Sequence, residues 1–220
     1  EIPSLQGCRL TPIDKGFSGD ALFRIESGGG GARLLRLFGL HELGRKREEF
    51  GILREMEHLG VKSPRPLELG ERATYGYMIV SWIEGKDVEE ALSALPAADQ
   101  YRIGLEAGRE LKKMHRLPAP GNLPSWHDSK AAKHARYAEQ YESCGVRVNG
   151  DGRLLAFIDR NLPLMKQRPN GFQHDDFHPA NLIAADGHLA GVIDFNRFDW
   201  GDPLHDFLKL GLFGREVSVP

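Results

Sequence analysis

The chain has 220 residues, with 29 Lys and Arg against 31 Asp and Glu, a formal net charge of -2 and 40% hydrophobic residues. This length allows one large domain or two small lobes around a proper core. The near-neutral charge disfavours a protein that binds nucleic acid by neutralising phosphates, so we expect no nucleic-acid partner. No apolar run approaches the roughly 20 residues that a membrane helix needs, so we expect no membrane partner either.

The two cysteines, Cys8 and Cys144, match neither a CxxC pattern nor a disulfide framework, which favours the reducing cytoplasm. The first ten residues lack the basic-then-apolar order of a secretory signal. They also lack an initiator Met, so we expect a trimmed chain. The sequence leaves the oligomeric state open.

The first third of the chain has the patterns of β-strands and one helix. Residues 8–38 are predicted to be strands, where "ALFRIE" and "ARLLRLF" flank "SGGGG" as a hairpin with a long flexible turn. Residues 41–59 show helical periodicity, and Gly60 supplies a stop. We expect "SPRPLELG" to be an extended linker and "YGYMIVSWIEG" to be a buried strand that turns at Gly85.

Helical patterns dominate after Gly85. Ile103, Ala107, Leu111 and Met114 recur at helical spacing in "PAADQYRIGLEAGRELKKMHRL". Further helices are predicted through "SKAAKHARYAEQYESCG" and through "RLLAFIDRNLPLMKQ", where a proline would kink or divide the helix. The chain is therefore predicted to be an α+β protein with an N-terminal lobe over residues 1–84 and a helical lobe over residues 85–220.

The segment 172–195, "FQHDDFHPANLIAADGHLAGVIDF", contains an Asp-Gly pair between apolar runs, which is a strong hairpin signal. If this pair forms the whole turn, Asn181 pairs with Val192. Asp194, two residues beyond Val192, then lies on the same face as Asn181.

An amide oxygen and a carboxylate at one end of a ribbon suit Mg²⁺, and Asp176 on the preceding loop would reach the same cleft. Two other interpretations stay open for this segment. It could be a polar strand end that caps its own turn, or a metallohydrolase site in which His174, Asp176 and His178 share one strand face.

The spacing His174-x-Asp176-x-x-x-x-Asn181, with a later strand ending in Asp194, resembles the catalytic signature of the protein-kinase-like superfamily. More specifically, "HDDFHPANL" and "GVIDFNRFDWGDPLHDF" resemble the aminoglycoside phosphotransferase family of small-molecule kinases. The resemblance implies a bilobal protein-kinase-like fold, with an N-terminal antiparallel sheet and one helix. The C-terminal lobe would be mainly helical and carry a catalytic β-hairpin.

The resemblance also assigns nucleotide-binding residues in the first lobe. It makes "DKGFSGD" (14–20), which includes Ser18, the nucleotide-covering loop, and it makes "IVSWIEG", with Ser81 and Ile83, the hinge that meets the base. Arg36 of "RLLRL" takes the position usually held by a phosphate-binding Lys, and Glu49 of "KREEF" that of its ion-pair partner. Arg and Lys differ in reach and hydration, so this departure affects efficiency.

The implied activity is Mg²⁺-dependent transfer of the γ-phosphate of ATP or GTP to a hydroxyl of an aminoglycoside-type antibiotic. Asp176 would orient the acceptor hydroxyl, and Asn181 and Asp194 would hold Mg²⁺ on the phosphates. Phosphoryl transfer needs positioning and charge neutralisation rather than covalent chemistry from the protein. A kinase for a hydroxylated metabolite and a catalytically impaired nucleotide-binding module remain alternatives.

Other polar residues of the segment have supporting roles in this interpretation. His174 would brace the loop, and Asp202 and Asp206 would cap backbone amides. A polycationic acceptor needs acidic neighbours, which Asp175, Asp176, Asp199 and Asp202 offer in sequence. Because family members usually continue for several helices that close the acceptor pocket, we expect the acceptor-selecting part to be incomplete in a chain that stops at Pro220.

Overall fold

A five-stranded antiparallel sheet forms the first third of the molecule. The computed structural model describes residues 2–14, 19–28 and 30–217, and of residues 214–217 the backbone alone. The strands are β1 (Arg9–Ile13), β2 (Ala21–Ser27), β3 (Gly30–Phe38), β4 (Pro66–Glu71) and β5 (Gly76–Ser81), in the order β1-β2-β3-β5-β4. Helix α1 (Leu43–His58) connects β3 to β4.

The remainder of the chain is mainly helical. Its elements are β6 (Lys86–Asp87), α2 (Val88–Ala91), α3 (Ala97–Met114), α4 (Trp126–Ser143), α5 (Asp151–Asn161), β7 (Gly171–Gln173), β8 (Leu182–Ala185), β9 (His188–Val192), β10 (Asp199–Gly201) and α6 (Asp206–Val217). The strands here form two small sheets, β6-β8-β9 and β10-β7. None of the helices within the described residues combines the length and apolarity needed to cross a membrane.

Both faces of the first sheet are covered at its central strand β5, which is buried from Gly76 to Val80. Tyr77 and Ile79 contribute to a small cluster on one face, while Met78 and Val80 join a large core on the other. The large core continues into α1, α3 and the β8–β9 hairpin. A shared core of this kind stabilises the sheet, α1, α3 and the hairpin against one another.

Most of the element predictions are confirmed. The predicted α3 stripe of Ile103, Ala107, Leu111 and Met114 is fully buried. Helix α5 ends at Asn161 and a 3-10 helix containing Pro163 follows over Leu162–Met165, as expected for a proline that divides a helix. The boundary between residues 84 and 85 stays a proposal.

Two of the element predictions are wrong. The segment expected to be a linker contains β4. A proline is compatible with this strand, because Pro66 stands at the start of an edge strand, where its missing N–H costs no ladder bond. The glycine run expected to be a long turn is shorter, since Ser27 already pairs with Gly30. Gly30 and Gly31 therefore belong to the start of β3 and do not form a wide loop.

Gly85 joins the first sheet to the β8–β9 hairpin. Its φ of +142° is one that residues with a side chain rarely adopt, and an added Cβ would lie 2.4 Å from the Ala184 carbonyl oxygen. At this point β6 begins and pairs with β8 through Lys86 and Ala184. The close backbone approach therefore requires glycine.

We expect Gly85→Ala to lower the free energy of unfolding by about 1–3 kcal/mol, because it combines backbone strain with a clash against a carbonyl group. Gly104→Ala is the matched control, since Gly104 lies on helix α3 with nothing within 4 Å of an added Cβ. The control should be neutral or stabilising by up to about 1 kcal/mol. Urea unfolding measures both, and equal stability of the two variants would contradict this account of Gly85.

Candidate active site

The loop after β7 is held in place by one buried carboxylate. Asp206, at the start of α6, accepts hydrogen bonds from the backbone amides of His174 (3.1 Å) and Asp175 (2.8 Å). The same carboxylate lies 2.9 Å from His115 Nε2 at the end of α3. Asp202 likewise accepts from the Leu204 amide at 3.1 Å. The predicted role of Asp202 and Asp206 as caps of backbone amides is confirmed.

His174 is buried and braces the loop, as predicted. Its Nε2 lies 3.0 Å from the carbonyl oxygen of Ile193, so the ring connects the loop to the end of β9. Burial lowers the pKa of His174, and this effect outweighs the opposing influence of Asp206. A neutral imidazole that donates to a carbonyl orders the loop and is not placed to take a proton from a substrate.

The metallohydrolase ligand set is not formed. His174 is turned towards Ile193, whereas His178 Nε2 lies 3.6 Å from Asp176 Oδ1. Among the residues that the structure describes, no three His, Cys, Asp or Glu side chains are grouped closely enough to hold a metal ion. The alternation of these residues in sequence therefore does not correspond to one strand face.

The predicted hairpin exists, but its predicted register is wrong beyond the turn. Ala185 pairs with His188 as expected, yet a bulge at Ala190 shifts the ladder so that Val192 pairs with Leu182. Asn181 instead accepts a 2.9 Å hydrogen bond through its carbonyl from the amide of Ile193, the residue before Asp194. The two residues are thus brought near each other at the strand ends, and not as same-face neighbours in a regular ribbon.

Asp176 is surrounded by nitrogen donors. Its carboxylate accepts from Lys209 Nζ of α6 at 2.6 Å and from Asn181 Nδ2 at 3.1 Å, and Arg197 Nε lies 4.0 Å away. Burial would raise the pKa of Asp176, but the hydrogen bond and charge of Lys209, together with the charges of His178 and Arg197, lower the pKa below its ordinary value. The side chain is therefore ionised at neutral pH and can accept a further hydrogen bond.

The pKa of Asp194 shifts in the opposite direction from that of Asp176. Burial raises its pKa, the nearby positive charge of Arg36 opposes the rise, and the charges of Glu49 and Asp176 add to it. Its backbone is left-handed, with φ 66°, a conformation that Asp tolerates better than most residues. Among the described residues, the Asp194 carboxylate accepts no hydrogen bond. A partly buried carboxylate of this kind would be stabilised by a cation.

The oxygen ligands that Asn181 and Asp194 offer fit Mg²⁺. Asn181 uses its amide nitrogen to contact Asp176, which leaves its amide oxygen as an acceptor. Together with the Asp194 carboxylate, this oxygen provides the kind of hard ligand that Mg²⁺ takes alongside water and phosphate oxygens. Asn181 and Asp194 therefore remain our predicted metal ligands.

Arg36 lies in a buried cluster of four charged side chains. Its Nε and Nη2 donate to Asp20 Oδ2 at 2.8 and 2.7 Å, and its Nη1 donates to Glu49. Lys46 Nζ donates to the same Asp20 oxygen at 2.5 Å. Burial alone would lower the pKa of Arg36, but Glu49 and Asp20 raise it above its ordinary value. The predicted Arg36–Glu49 pair is present.

Two members of this cluster were missed in the sequence. Lys46 lies three residues before Glu49 on α1, so the helical spacing of "KREE" could have placed both on one face. Asp20 carries no such local signal, because it reaches Arg36 across the β2–β3 pairing. The cluster ties the residue that ends the predicted nucleotide-covering loop to both β3 and α1.

The predicted hinge residues lie between the sheet and the hairpin. Ser81 ends β5, and its hydroxyl accepts a 2.8 Å hydrogen bond from the Arg65 amide. Ile83 follows, and within the described part of the chain its backbone amide and carbonyl make no hydrogen bond. A backbone donor and acceptor at this place suit recognition of a base. The prediction for Ser18 falls outside the described residues.

The acidic residues expected to attract a polycation are each paired with a basic side chain. Asp175 lies 3.1 Å from His205, Asp176 is bound by Lys209, Asp199 by Lys130 at 3.3 Å, and Asp202 by Arg168 at 2.6 Å. These carboxylates therefore do not form an uncompensated negative surface.

The antiparallel sheet with one helix, the helical second part and the loop-hairpin unit define a protein-kinase-like fold. Solved structures support this class. The chain matches an aminoglycoside phosphotransferase APH(4)-Ia mutant in complex with ADP and hygromycin B, with a TM-score of 0.73, 15% identity and coverage of 94% of this chain and 73% of that one. The chain also matches the streptomycin–ATP complex of APH(2")-IIa, with a TM-score of 0.69 and 18% identity. This match covers 98% of this chain and 77% of that one.

Residues 9–219 match the profile of the phosphotransferase enzyme family, to which the chain therefore belongs. Curated relatives include the homoserine kinases of Rhizobium meliloti (strain 1021), 25% identical over 162 residues, and of Sinorhizobium medicae (strain WSM419), 24% identical over 162 residues. Each alignment covers 66% of this chain and 45% of the relative. The chain thus spans less than half the length of these curated relatives.

We expect Asp194→Asn to raise the free energy of unfolding at neutral pH. Because the pKa of Asp194 is raised by folding, the folded state disfavours the charged carboxylate once the pH exceeds that pKa. The gain should disappear below the ordinary Asp value of 3.8, where the folded and the unfolded carboxyl are both protonated. Thermal unfolding from neutral pH to below 3.8 measures the difference in stability between the variant and the parent.

Glu48→Gln is the matched control, since Glu48 lies exposed on α1. This change should alter stability by no more than about 0.5 kcal/mol. If the gain expected from Asp194→Asn is absent at neutral pH, or persists unchanged in acid, the raised pKa of Asp194 is contradicted.

Proposed function

We propose that the protein transfers the γ-phosphate of ATP or GTP to a hydroxyl group of a small molecule and needs Mg²⁺ to do so. The observation that carries the proposal is the ionised Asp176, held by Asn181 on a braced loop, with the Asp194 carboxylate nearby. Neighbours of the same fold have been solved with ADP or ATP bound. We place the reaction in the cytoplasm, with a nucleoside triphosphate and a hydroxylated acceptor as partners.

Asp176 is proposed to orient the acceptor hydroxyl and to receive its proton. The hydroxyl oxygen forms a bond to the γ-phosphorus as the bond from that phosphorus to the bridging oxygen breaks, and the nucleoside diphosphate leaves. Little covalent chemistry is required of the protein, so accurate positioning is its main contribution. The Asp206 brace supplies this positioning, because it fixes the backbone of the two residues before Asp176.

The phosphates are proposed to lie between Asp194, Asn181 and Arg36. Mg²⁺ held by Asn181 and Asp194 would neutralise charge on the phosphate oxygens. Arg36, oriented by Glu49, would also donate to those oxygens. Ile83 would meet the base through its backbone groups, and Ser18 would cover the phosphates.

The acceptor is either an aminoglycoside or a smaller hydroxylated metabolite. The solved neighbours that bind hygromycin B and streptomycin favour the first class. The homoserine kinase relatives favour the second, and so do the basic partners of the four acidic residues around the site. We propose a hydroxylated metabolite as the better fit, because a polycation would meet Lys209 at the proposed catalytic carboxylate.

A screen of nucleotide consumption with Mg²⁺ tests the proposal. The panel contains aminoglycosides, amino alcohols, sugars and hydroxy amino acids, each with ATP and with GTP. Acceptor-dependent diphosphate formation would support a kinase. Nucleotide binding without transfer to any acceptor would favour the impaired nucleotide-binding module instead.

Asp176→Ala should lower kcat by about 10²–10⁴-fold, which is the usual contribution of a positioned acid–base group. Its nucleotide affinity should be nearly unchanged, because Asp176 addresses the acceptor. Steady-state kinetics and equilibrium binding of Mg-ATP measure the two quantities. Retained turnover in this variant would remove the role assigned to Asp176.

Asp194→Ala should weaken Mg-nucleotide binding, since it removes the carboxylate that would hold the metal on the phosphates. Titration with ATP in the presence and absence of Mg²⁺ separates this effect from a general loss of binding. We expect the parent to bind more tightly with Mg²⁺ and the variant to lose most of that difference. Normal affinity for Mg-ATP would count against the metal assignment.

A further inference from the structure

Lys209 lies beside Asp176, the residue to which the proposed function brings the acceptor hydroxyl. It lies on α6, one turn after the Asp206 brace, and its Nζ is 2.6 Å from Asp176 Oδ1. The side chain is about a quarter exposed, at 26%. One of the three ammonium donors is used by Asp176, so the others can meet a second acceptor group. A negatively charged group is therefore favoured beside the hydroxyl that Asp176 would orient.

The electrostatics of the surroundings agree with this assignment. Arg197, 60% exposed, lies 4.0 Å from the other Asp176 oxygen and adds a second positive charge. The nearby carboxylates of Asp175 and Asp199 are already engaged by His205 and Lys130. An anionic group on the acceptor would thus find two basic side chains, and the neighbouring acids would repel it only weakly.

We infer that Lys209 is a specificity-determining residue that binds a carboxylate of the acceptor, so that the preferred substrates are compact hydroxy acids or hydroxy amino acids. The inference rests on the proposed function and deepens it. Because one ammonium group would contact both Asp176 and the acceptor carboxylate, the hydroxyl and the carboxylate must be separated by only a few bonds. A large polyamine sugar does not meet this requirement.

A purely structural role for Lys209 makes a different prediction. If Lys209 only positioned Asp176, its loss would slow transfer to every acceptor by the same factor. If it binds a carboxylate, its loss would penalise acidic acceptors beyond that common factor. The ratio of kcat/KM for an acid and for the same acceptor with an uncharged carboxamide in place of the carboxylate separates the two roles, because the common factor cancels.

The experiment compares 4-hydroxybutyrate with 4-hydroxybutyramide, and homoserine with homoserine amide, as acceptors with Mg-ATP. The parent should prefer each acid over its amide by about tenfold or more, as expected for a hydrogen bond between charged groups. Lys209→Met should abolish most of that preference through a higher KM for the acids. Lys209→Arg, which keeps the charge, should retain it.

Lys112→Met is the matched control, since Lys112 is an exposed lysine on α3. It should keep the parental preference for acids. If the parent phosphorylates amides or polyamines as well as acids, or if Lys209→Met keeps the acid preference, the inference is overturned while the proposed function stands. If the parent phosphorylates no acceptor although it binds Mg-ATP, the proposed function fails and the inference with it.

Discussion

The geometry of the candidate site depends on the buried carboxylate of Asp206. It accepts two consecutive backbone amides from the loop and lies against His115, so that α6, the loop and α3 meet at one side chain. A buried carboxylate without these donors would be costly, and hence the three elements are held together. The same helix then places Lys209 against Asp176. The bracing of the loop by Asp206 and the positive charge of Lys209 beside Asp176 therefore both depend on α6.

A second buried arrangement of charges lies in the first lobe, around Arg36. Four charged side chains are buried here, and each charge has an opposite partner. They are Arg36, Lys46, Asp20 and Glu49. Arg presents donors in a fixed fork, which lets Arg36 contact two carboxylates on different elements. Arg36 thus links β3 both to α1, through Glu49, and to Asp20.

The sequence predicted what depends on local chemistry. The helical stripe of α3 and the Asp-Gly turn each follow from neighbouring residues, and both are confirmed. The bulge at Ala190 has no such local signal, and beside it the Val192 amide donates to the carbonyl of Lys62, a residue distant in sequence, at 2.8 Å. The pairing of Asp176 with Lys209 likewise needs the fold, since it spans 33 residues.

The central claim is that this arrangement transfers a phosphoryl group from a nucleotide to an alcohol. Phosphorus NMR of the protein with Mg-ATP and the acceptor panel tests it most directly, since it resolves the fate of the γ-phosphate. Our account predicts a phosphate monoester that accumulates in step with ADP. Formation of inorganic phosphate alone, or unchanged ATP in the presence of every acceptor, would contradict it.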